Sequence, residues 1–364
     1  MPNPLYDALF GRHIGQNTPF LILPDGRTIT HDQFIRSAAR YANAFSDKGL
    51  TAGDRVAVQV GKSPDALALY AACVQAGLVF LPLNPGYTAS EVDYFVGNSG
   101  ARLLVCDPAD VTELTPVAAA AGAAVETMDN TGRGTLRDLA ATLPDTFDTV
   151  DRGAEDLAAF LYTSGTTGDP KGVLLTHDNM LNGGRNVAGA HALRPDDCGL
   201  CVLPLYHINA QTVSILGTLL SSGTVVLPRH FSVTRFWGWI ADHSCTWFSV
   251  IPTIIAYLLH ERSTLSVRER EALKNVRFGR SASAPLPPAL HEQFESRFGI
   301  PIIETMGITE AAAQILTNPM PPATRKIGSP GLPYGNDVII ANPSGGELGP
   351  NEQGEICRLY TSPS

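Results

Sequence analysis

From about residue 55, apolar positions fall into short unbroken runs that alternate with longer stretches in which they recur every three or four places. "RVAVQV" is followed by "SPDALALYAACVQAG", "VFLPLNP" by "TASEVDYFVGNSG", and "ARLLVCD" by "ADVTELTPVAAAAG". The short runs predict strands and the periodic stretches predict helices; strands alternating with helices imply parallel βαβ units. A second series runs through "CGLCVLPL", a helical pattern over 209–221, "TVVLP", "SVTRFWGWIADHS", "TWFSVIP", "TIIAYLLHER", "VRFGRSA", "PPALHEQFESRFG" and "IPIIETMG". Within it, after Ser232, Val233, Phe236, Trp237 and Ile240 stand at i, i+3, i+4 and i+7, and Leu290, Phe294 and Phe298 repeat every four. Those faces are expected to be core rather than cofactor contacts. The expected fold class is α/β: two doubly wound, mostly parallel sheet lobes flanked by helices, with ligands outside the carboxyl ends of the strands. Beyond Glu310, prolines at 319, 321, 322, 330, 333, 343 and 350 interrupt short runs such as "NDVIIA" and "GEICRLY". The expected organisation is a core of two α/β lobes over 1–308 and a small, partial β-rich subdomain over 309–364.

Composition narrows the partners. With 364 residues, 44% hydrophobic and 17% charged, the chain has an ordinary globular make-up, which argues against extended disorder. A net charge of -9 argues against a nucleic-acid surface and against a basic membrane patch, leaving small molecules or proteins. The start, "MPNPLYDALFGRHIGQNTPF", holds no apolar core of signal-peptide length, and no stretch approaches the ~20 apolar residues of a membrane span. A cytoplasmic location is expected. Six cysteines are too sparse for a disulfide framework, and Cys198 and Cys201 form a CxxC without a second ligand pair, so they are expected to be packed thiols.

At the junction of the two series lies "YTSGTTGDPKG", residues 162–172. By its residues it is either a flexible linker or a cradle for something rich in oxygen. Its surroundings, "FLYTSGTTGDPKGVLLTHDNM", read as strand, polar turn, short strand and a helix starting at Thr176 or Asp178. Linkers rarely end in Pro-Lys-Gly leading straight into an apolar strand. Gly165 and Gly168 let successive backbone N–H groups point into a concavity, Thr163, Ser164, Thr166 and Thr167 add hydroxyls, and Lys171 adds a positive charge. Together they make a polyphosphate site of the anion-nest kind. A Walker A loop is excluded, because Pro170 and Gly172 flank Lys171 where that motif needs Gly and Ser or Thr.

The stretch from Tyr162 to Gly172 closely resembles the phosphate-loop signature of the adenylate-forming superfamily, which contains acyl-CoA synthetases, luciferases and amino-acid adenylation domains. "LPLYHIN" (203–209), "SASAPL" followed by "ETMGITE" (304–310), and "GSPGLPYG" leading to "GEIC" (354–357) agree in order and spacing. The resemblance covers essentially the whole chain. It implies that a carboxylate attacks the α-phosphorus of ATP with release of pyrophosphate, and that a thiol then captures the acyl-adenylate. It further implies that Thr163 to Lys171 cradle the β- and γ-phosphates, and that Thr309 and Glu310 contact the α-phosphate and Mg²⁺. Glu310 is the expected metal-organising carboxylate, with Thr166 a second candidate contact. Ser283, Ala284 and Pro285, with Glu304, Thr305, Met306 and Gly307, match the segments that enclose adenine; Met306 stands where most relatives carry an aromatic residue. His207 matches a gate between the nucleotide and the acyl or thiol site. Amino-acid adenylation domains usually carry an Asp there, so an acyl-CoA ligase is the expected kind.

By the same resemblance the acyl pocket draws on Asn209, Gln211, Ser249, Thr253 and Arg280, with Arg229 and His230 nearby. This set is polar for a fatty-acid tunnel. Unpaired buried polar groups disfavour a greasy ligand, and an arginine pairs well with a second anionic group. The pattern looks most like ligases of short polar acids such as malonate or oxalate. The expected substrate is a small acid with a second negative group, and CoA or a phosphopantetheine carrier is the expected thiol. Full-length relatives continue into a ribose-binding Asp segment, a hinge and a mobile C-terminal domain with a catalytic lysine; these segments do not appear here, so impaired turnover by this chain alone is expected. A non-catalytic nucleotide-binding scaffold is the rival from another class.

Overall fold

The computed structural model describes residues 3–163, 170–260 and 265–359. Two sheets organise these residues. The smaller has six strands in the order Ala124–Thr127, Leu103–Cys106, Arg55–Gln59, Val79–Pro82, Leu157–Thr163 and Lys171–Thr176. All of its pairs are parallel except the last, where Leu157–Thr163 and Lys171–Thr176 form an antiparallel hairpin. The larger has nine strands in the order Leu332–Pro333, Ala313–Thr317, Ile302–Ile308, Phe278–Ser281, Trp247–Val250, Cys198–Cys201, Thr224–Val226, Pro19–Ile22 and Thr28–Thr30. Its interior is parallel, and antiparallel pairs close both margins. The fold class is therefore α/β with two mostly parallel, helix-flanked sheets, as the alternating pattern predicts.

The helices start where local chemistry satisfies their first N–H groups. Thr30 with Gln33, Thr88 with Glu91, Thr176 with Asn179 and Ser266 with Glu269 form reciprocal capping boxes, and Ser63 caps a helix that opens with Pro64. Thr176 rather than Asp178 is the cap of the helix after the polar loop.

Several features depart from the sequence pattern. The residues before 55, which carry no alternating signal, hold the helix His31–Asp47 and the strand Pro19–Ile22, which pairs in parallel with Thr224–Val226 of the larger sheet. The helix expected over 209–221 is a π-helix at Asn209–Leu216 continuing as α-helix Gly217–Ser221. The helix expected after Ser232 begins at Phe236. Within 309–359, Ala313–Thr317 and Leu332–Pro333 extend the larger sheet, and the strands Asp337–Ala341 and Glu355–Leu359 form a separate two-stranded sheet.

Both predicted helix faces are core. Phe236, Trp237, Ile240, Phe294 and Phe298 are buried, and the Trp237 ring lies 4.6 Å from Phe298 and 5.0 Å from Phe236. Cys198 and Cys201 are buried free thiols. Truncating Trp237→Ala removes this shared ring cluster and is expected to destabilise the protein by about 3–5 kcal/mol. Urea unfolding would show this as a lower midpoint.

Candidate functional site

The described flanks of the polar loop are Thr163 and Lys171, which lie opposite each other across the hairpin. Ser164, Gly165, Thr166, Thr167 and Gly168 lie outside the described residues. The hairpin base is pinned to the helix Ala89–Ser99: Tyr94 Oη donates to the Pro170 carbonyl at 2.9 Å and Tyr162 Oη to Asn98 Oδ1 at 2.6 Å. Phe160 and Tyr162 stack at 5.0 Å, and a Cβ on Gly172 would stand 2.3 Å from Phe160 Cε2. Gly172 of the quoted stretch is thus fixed by packing as well as by any ligand. Lys171 is exposed at the loop end of the hairpin.

The strand Lys171–Thr176 packs against the turn Thr309–Ala311, so the loop's base and Glu310 share one region. Glu310 is exposed and Thr309 half-buried. Glu310 lines a crevice of about 420 Å³ with Ala341 and Glu355 of the terminal two-stranded sheet and Asn342 just beyond its first strand. A bulge follows Met306, and a Cβ on Gly307 would stand 1.8 Å from the Ala313 carbonyl oxygen, so glycine lets the strand turn toward Thr309.

The set expected to enclose adenine divides in two. Ser283, Ala284 and Pro285 are exposed on the loop after strand Phe278–Ser281, and Ser283 holds a left-handed φ of 73°. Met306 is half-buried against Ala311, Ile315 and Leu316. Glu304 and Thr305 are buried instead: Glu304 Oε1 accepts from the Leu286 N–H at 3.1 Å, and Thr305 Oγ1 lies 3.5 Å from the Ser281 carbonyl. Their side chains hold the Ser283 loop in place rather than facing out of it.

Arg280 is 2% exposed. Strand pairing sets it beside Ser249, and the π-helix brings Asn209 and Gln211 into the interior. Arg280 Nη1 donates to Asn209 Oδ1 at 2.9 Å and to Ser249 Oγ at 3.4 Å, while Nε and Nη2 each reach Gln314 Oε1 at 3.4 Å. Three of these contacts are at the long limit for such bonds. Among the described residues every acceptor is neutral. Neighbouring His191 is neutral too, its pKa pushed down to about 3 by burial and then by the Arg280 charge. Burial lowers the Arg280 pKa to about 9, which leaves the guanidinium charged at neutral pH. Asn209 Nδ2 donates onward to Ser283 Oγ at 3.1 Å, so one network links the buried cation to the exposed loop. Among the described residues, both amide atoms of buried Gln211 lack a partner. Thr253 is exposed and stands outside this network.

Arg229 and His230 do not join Arg280. Both are exposed and line an inter-lobe crevice of about 330 Å³ with Lys62, Asn84 and Tyr206. His207 follows Tyr206, their rings 4.5 Å apart; its ring reaches solvent, yet neighbouring atoms desolvate it enough to lower its pKa. Lys62 carries no sequence signal, because "QVGKSPD" reads as a charged loop between a strand and a helix cap.

Among the described residues, no helix is long and apolar enough to cross a membrane, and no three His, Cys, Asp or Glu side chains converge on a metal position. The chain matches the family model described as AMP-binding enzyme over residues 13–359. It is 37% identical over 340 residues to a sulfoacetate–CoA ligase of Cupriavidus necator, covering 93% of this chain and 66% of that one. It is 32% identical over 336 residues to an oxalate–CoA ligase of Arabidopsis thaliana, covering 90% and 64%. The chain thus spans about two thirds of the length of these curated relatives. A solved structure of ATP-bound MatB from Rhodopseudomonas palustris superposes with a TM-score of 0.91 at 35% identity, covering 98% of this chain and 70% of that one. With the strand Lys171–Thr176 packed against the turn that bears Glu310 and a family match along nearly its whole length, the chain belongs to the AMP-binding enzyme family.

Proposed function

We propose that this chain is the nucleotide- and acid-binding part of a cytoplasmic, ATP-dependent carboxylic acid–CoA ligase. The reaction joins a small polar acid to AMP with release of pyrophosphate and then passes the acyl group to the thiol of CoA. The substrate carries a second negative group. Activity belongs to the whole protein, of which relatives' lengths make this chain about two thirds. The names of the relatives, ligases of sulfoacetate and oxalate with CoA, support the reading and favour CoA over a carrier-borne thiol.

The observation that carries the substrate class is Arg280: a buried guanidinium whose acceptors are all neutral. A buried charge is strongly disfavoured without an ion of opposite sign, and the long bonds that Arg280 donates to Gln314 and Ser249 are easily exchanged for shorter ones. A substrate carboxylate or sulfonate supplies the missing charge, whereas an alkyl chain leaves the polar cluster unpaired. On the nucleotide side, Lys171 brings positive charge to the phosphates, and the Ser283 loop, held by Glu304, borders the base. Glu310 fits a Mg²⁺ contact, since that ion is commonly held by one or two carboxylates plus phosphate oxygens. When bound, Mg²⁺ neutralises charge on the phosphates. The protein's own part is to align the acid's oxygen with the α-phosphorus and to exclude competing water.

In the full-length protein, thioester formation compared across acetate, malonate, oxalate, sulfoacetate and hexanoate should favour an acid with a second anion; a clear preference for hexanoate would overturn the substrate class. Arg280→Met keeps much of the volume and removes the charge. A hydrogen bond to a charged group contributes about 1.5–3 kcal/mol, so kcat/KM for the preferred acid should fall about 10- to 100-fold while acetate changes only a few-fold. Glu310→Gln should lower acid-dependent pyrophosphate exchange by at least about 100-fold, the scale for losing a group that stabilises transition-state charge.

A further inference from the structure

The inter-lobe crevice lies outside the carboxyl ends of two neighbouring strands in each sheet, Arg55–Gln59 and Val79–Pro82 in the smaller and Cys198–Cys201 and Thr224–Val226 in the larger. In the smaller sheet, Arg55–Gln59 is followed in the chain by its neighbour Val79–Pro82 on one side and then by Leu103–Cys106 on the other. In the larger sheet, Cys198–Cys201 is followed by Thr224–Val226 on one side and Trp247–Val250 on the other. The space outside the carboxyl ends of the strands is where open α/β sheets bind ligands. Residues after all four central strand ends line this one crevice: Lys62, Asn84, Tyr206 and Arg229 among them. A second crevice of about 700 Å³ shares Lys62, Asn130, Arg229 and His230 with it.

Lys62 is the buried cation at this meeting point, 8% exposed. From the smaller sheet its Nζ crosses to the larger and donates to the carbonyls of Cys201 at 2.9 Å and Leu203 at 3.0 Å. These two carbonyls bracket the point where the chain leaves its strand for the Tyr206–His207 segment. Burial lowers the Lys62 pKa, and its two acceptors are backbone oxygens rather than a carboxylate. Asp65, on the wall of the larger crevice, is already engaged by Tyr41 Oη at 2.7 Å and Arg137 at 3.6 Å. An ammonium has three donors. Two of them hold the strand end.

We propose that Lys62 is a positioning residue: by bridging the two sheets it fixes the segment 202–207 and so places Tyr206, with the His207 ring packed beside it, at the inter-lobe crevice. This rests on the ligase reading for its catalytic consequence: Lys171, Arg280 and Glu310 line neither crevice, so the effect is expected on the thioester step rather than on adenylation. The clamp itself does not depend on that reading. Backbone hydrogen exchange and the two half-reactions, measured on the full-length protein, test both. Lys62→Met should speed exchange of amides in 202–211 at least tenfold while the helix His31–Asp47 keeps its protection. It should lower the rate of thioester formation at least tenfold while acid-dependent pyrophosphate exchange stays within about threefold. Lys62→Arg, which keeps charge and donors, should recover most of the lost protection. Unchanged exchange over 202–211 in folded Lys62→Met would overturn the clamp, as would exchange rising equally throughout the protein. Both half-reactions falling together, with exchange raised only at 202–211, would overturn the selective role. A wild type inactive in both half-reactions would remove the ligase reading, and the exchange pattern would still decide the clamp.

Discussion

A parallel strand is reached only through a crossover, so every strand in such a sheet ends on the same edge. Here two sheets of this kind turn their carboxyl edges toward a common crevice, and much of the site follows from that constraint. The loops bearing Lys62, Asn84, Tyr206 and Arg229 leave strand ends at that edge and meet there. Antiparallel pairs then close the margins. The hairpin ending in Lys171–Thr176 borders the smaller sheet, the turn Thr309–Ala311 leads into a marginal strand of the larger one, and the two pack together. The loop base and Glu310 are neighbours because the margins of two sheets meet.

Three cations occupy different environments at this junction. Lys171 is exposed and hydrated, suited to a ligand that brings its own strong negative charge. Arg280 is enclosed by neutral amides and a hydroxyl, where low dielectric makes an incoming anion count for more than it would in water. Lys62 is enclosed as well, but two of its donors are held by main-chain carbonyls, so its charge serves geometry. Charge alone does not separate these functions; burial and the nature of the acceptor do.

Much was legible in the chain. Alternating runs located the strands and helices from residue 55, and the polar stretch 162–172 is indeed flanked by a hairpin with Glu310 close to its base. The residues before 55 were silent because the strand Pro19–Ile22 finds its partner about 200 positions away, although Thr30 and Gln33 already spelled a capping box before the apolar faces of Phe34, Ala38 and Phe45. Glu304 and Thr305 stood inside a recognisable motif, but alternation along the strand cannot say which face a neighbouring loop will cover, and both turned inward.

What the sequence determined by itself was the order of elements, the family signature and the residue types available for chemistry, because these depend on local periodicity and spacing. Tertiary structure alone decided that Arg280 is enclosed by neutral acceptors among the described residues, that Arg229 and His230 belong to another crevice, and that Lys62 joins the two sheets. The physical reason is that burial and hydrogen-bond partners are set by contacts between residues far apart in the chain. Lys62 and Cys201 lie 139 positions apart, and Arg280 and Asn209 lie 71 apart.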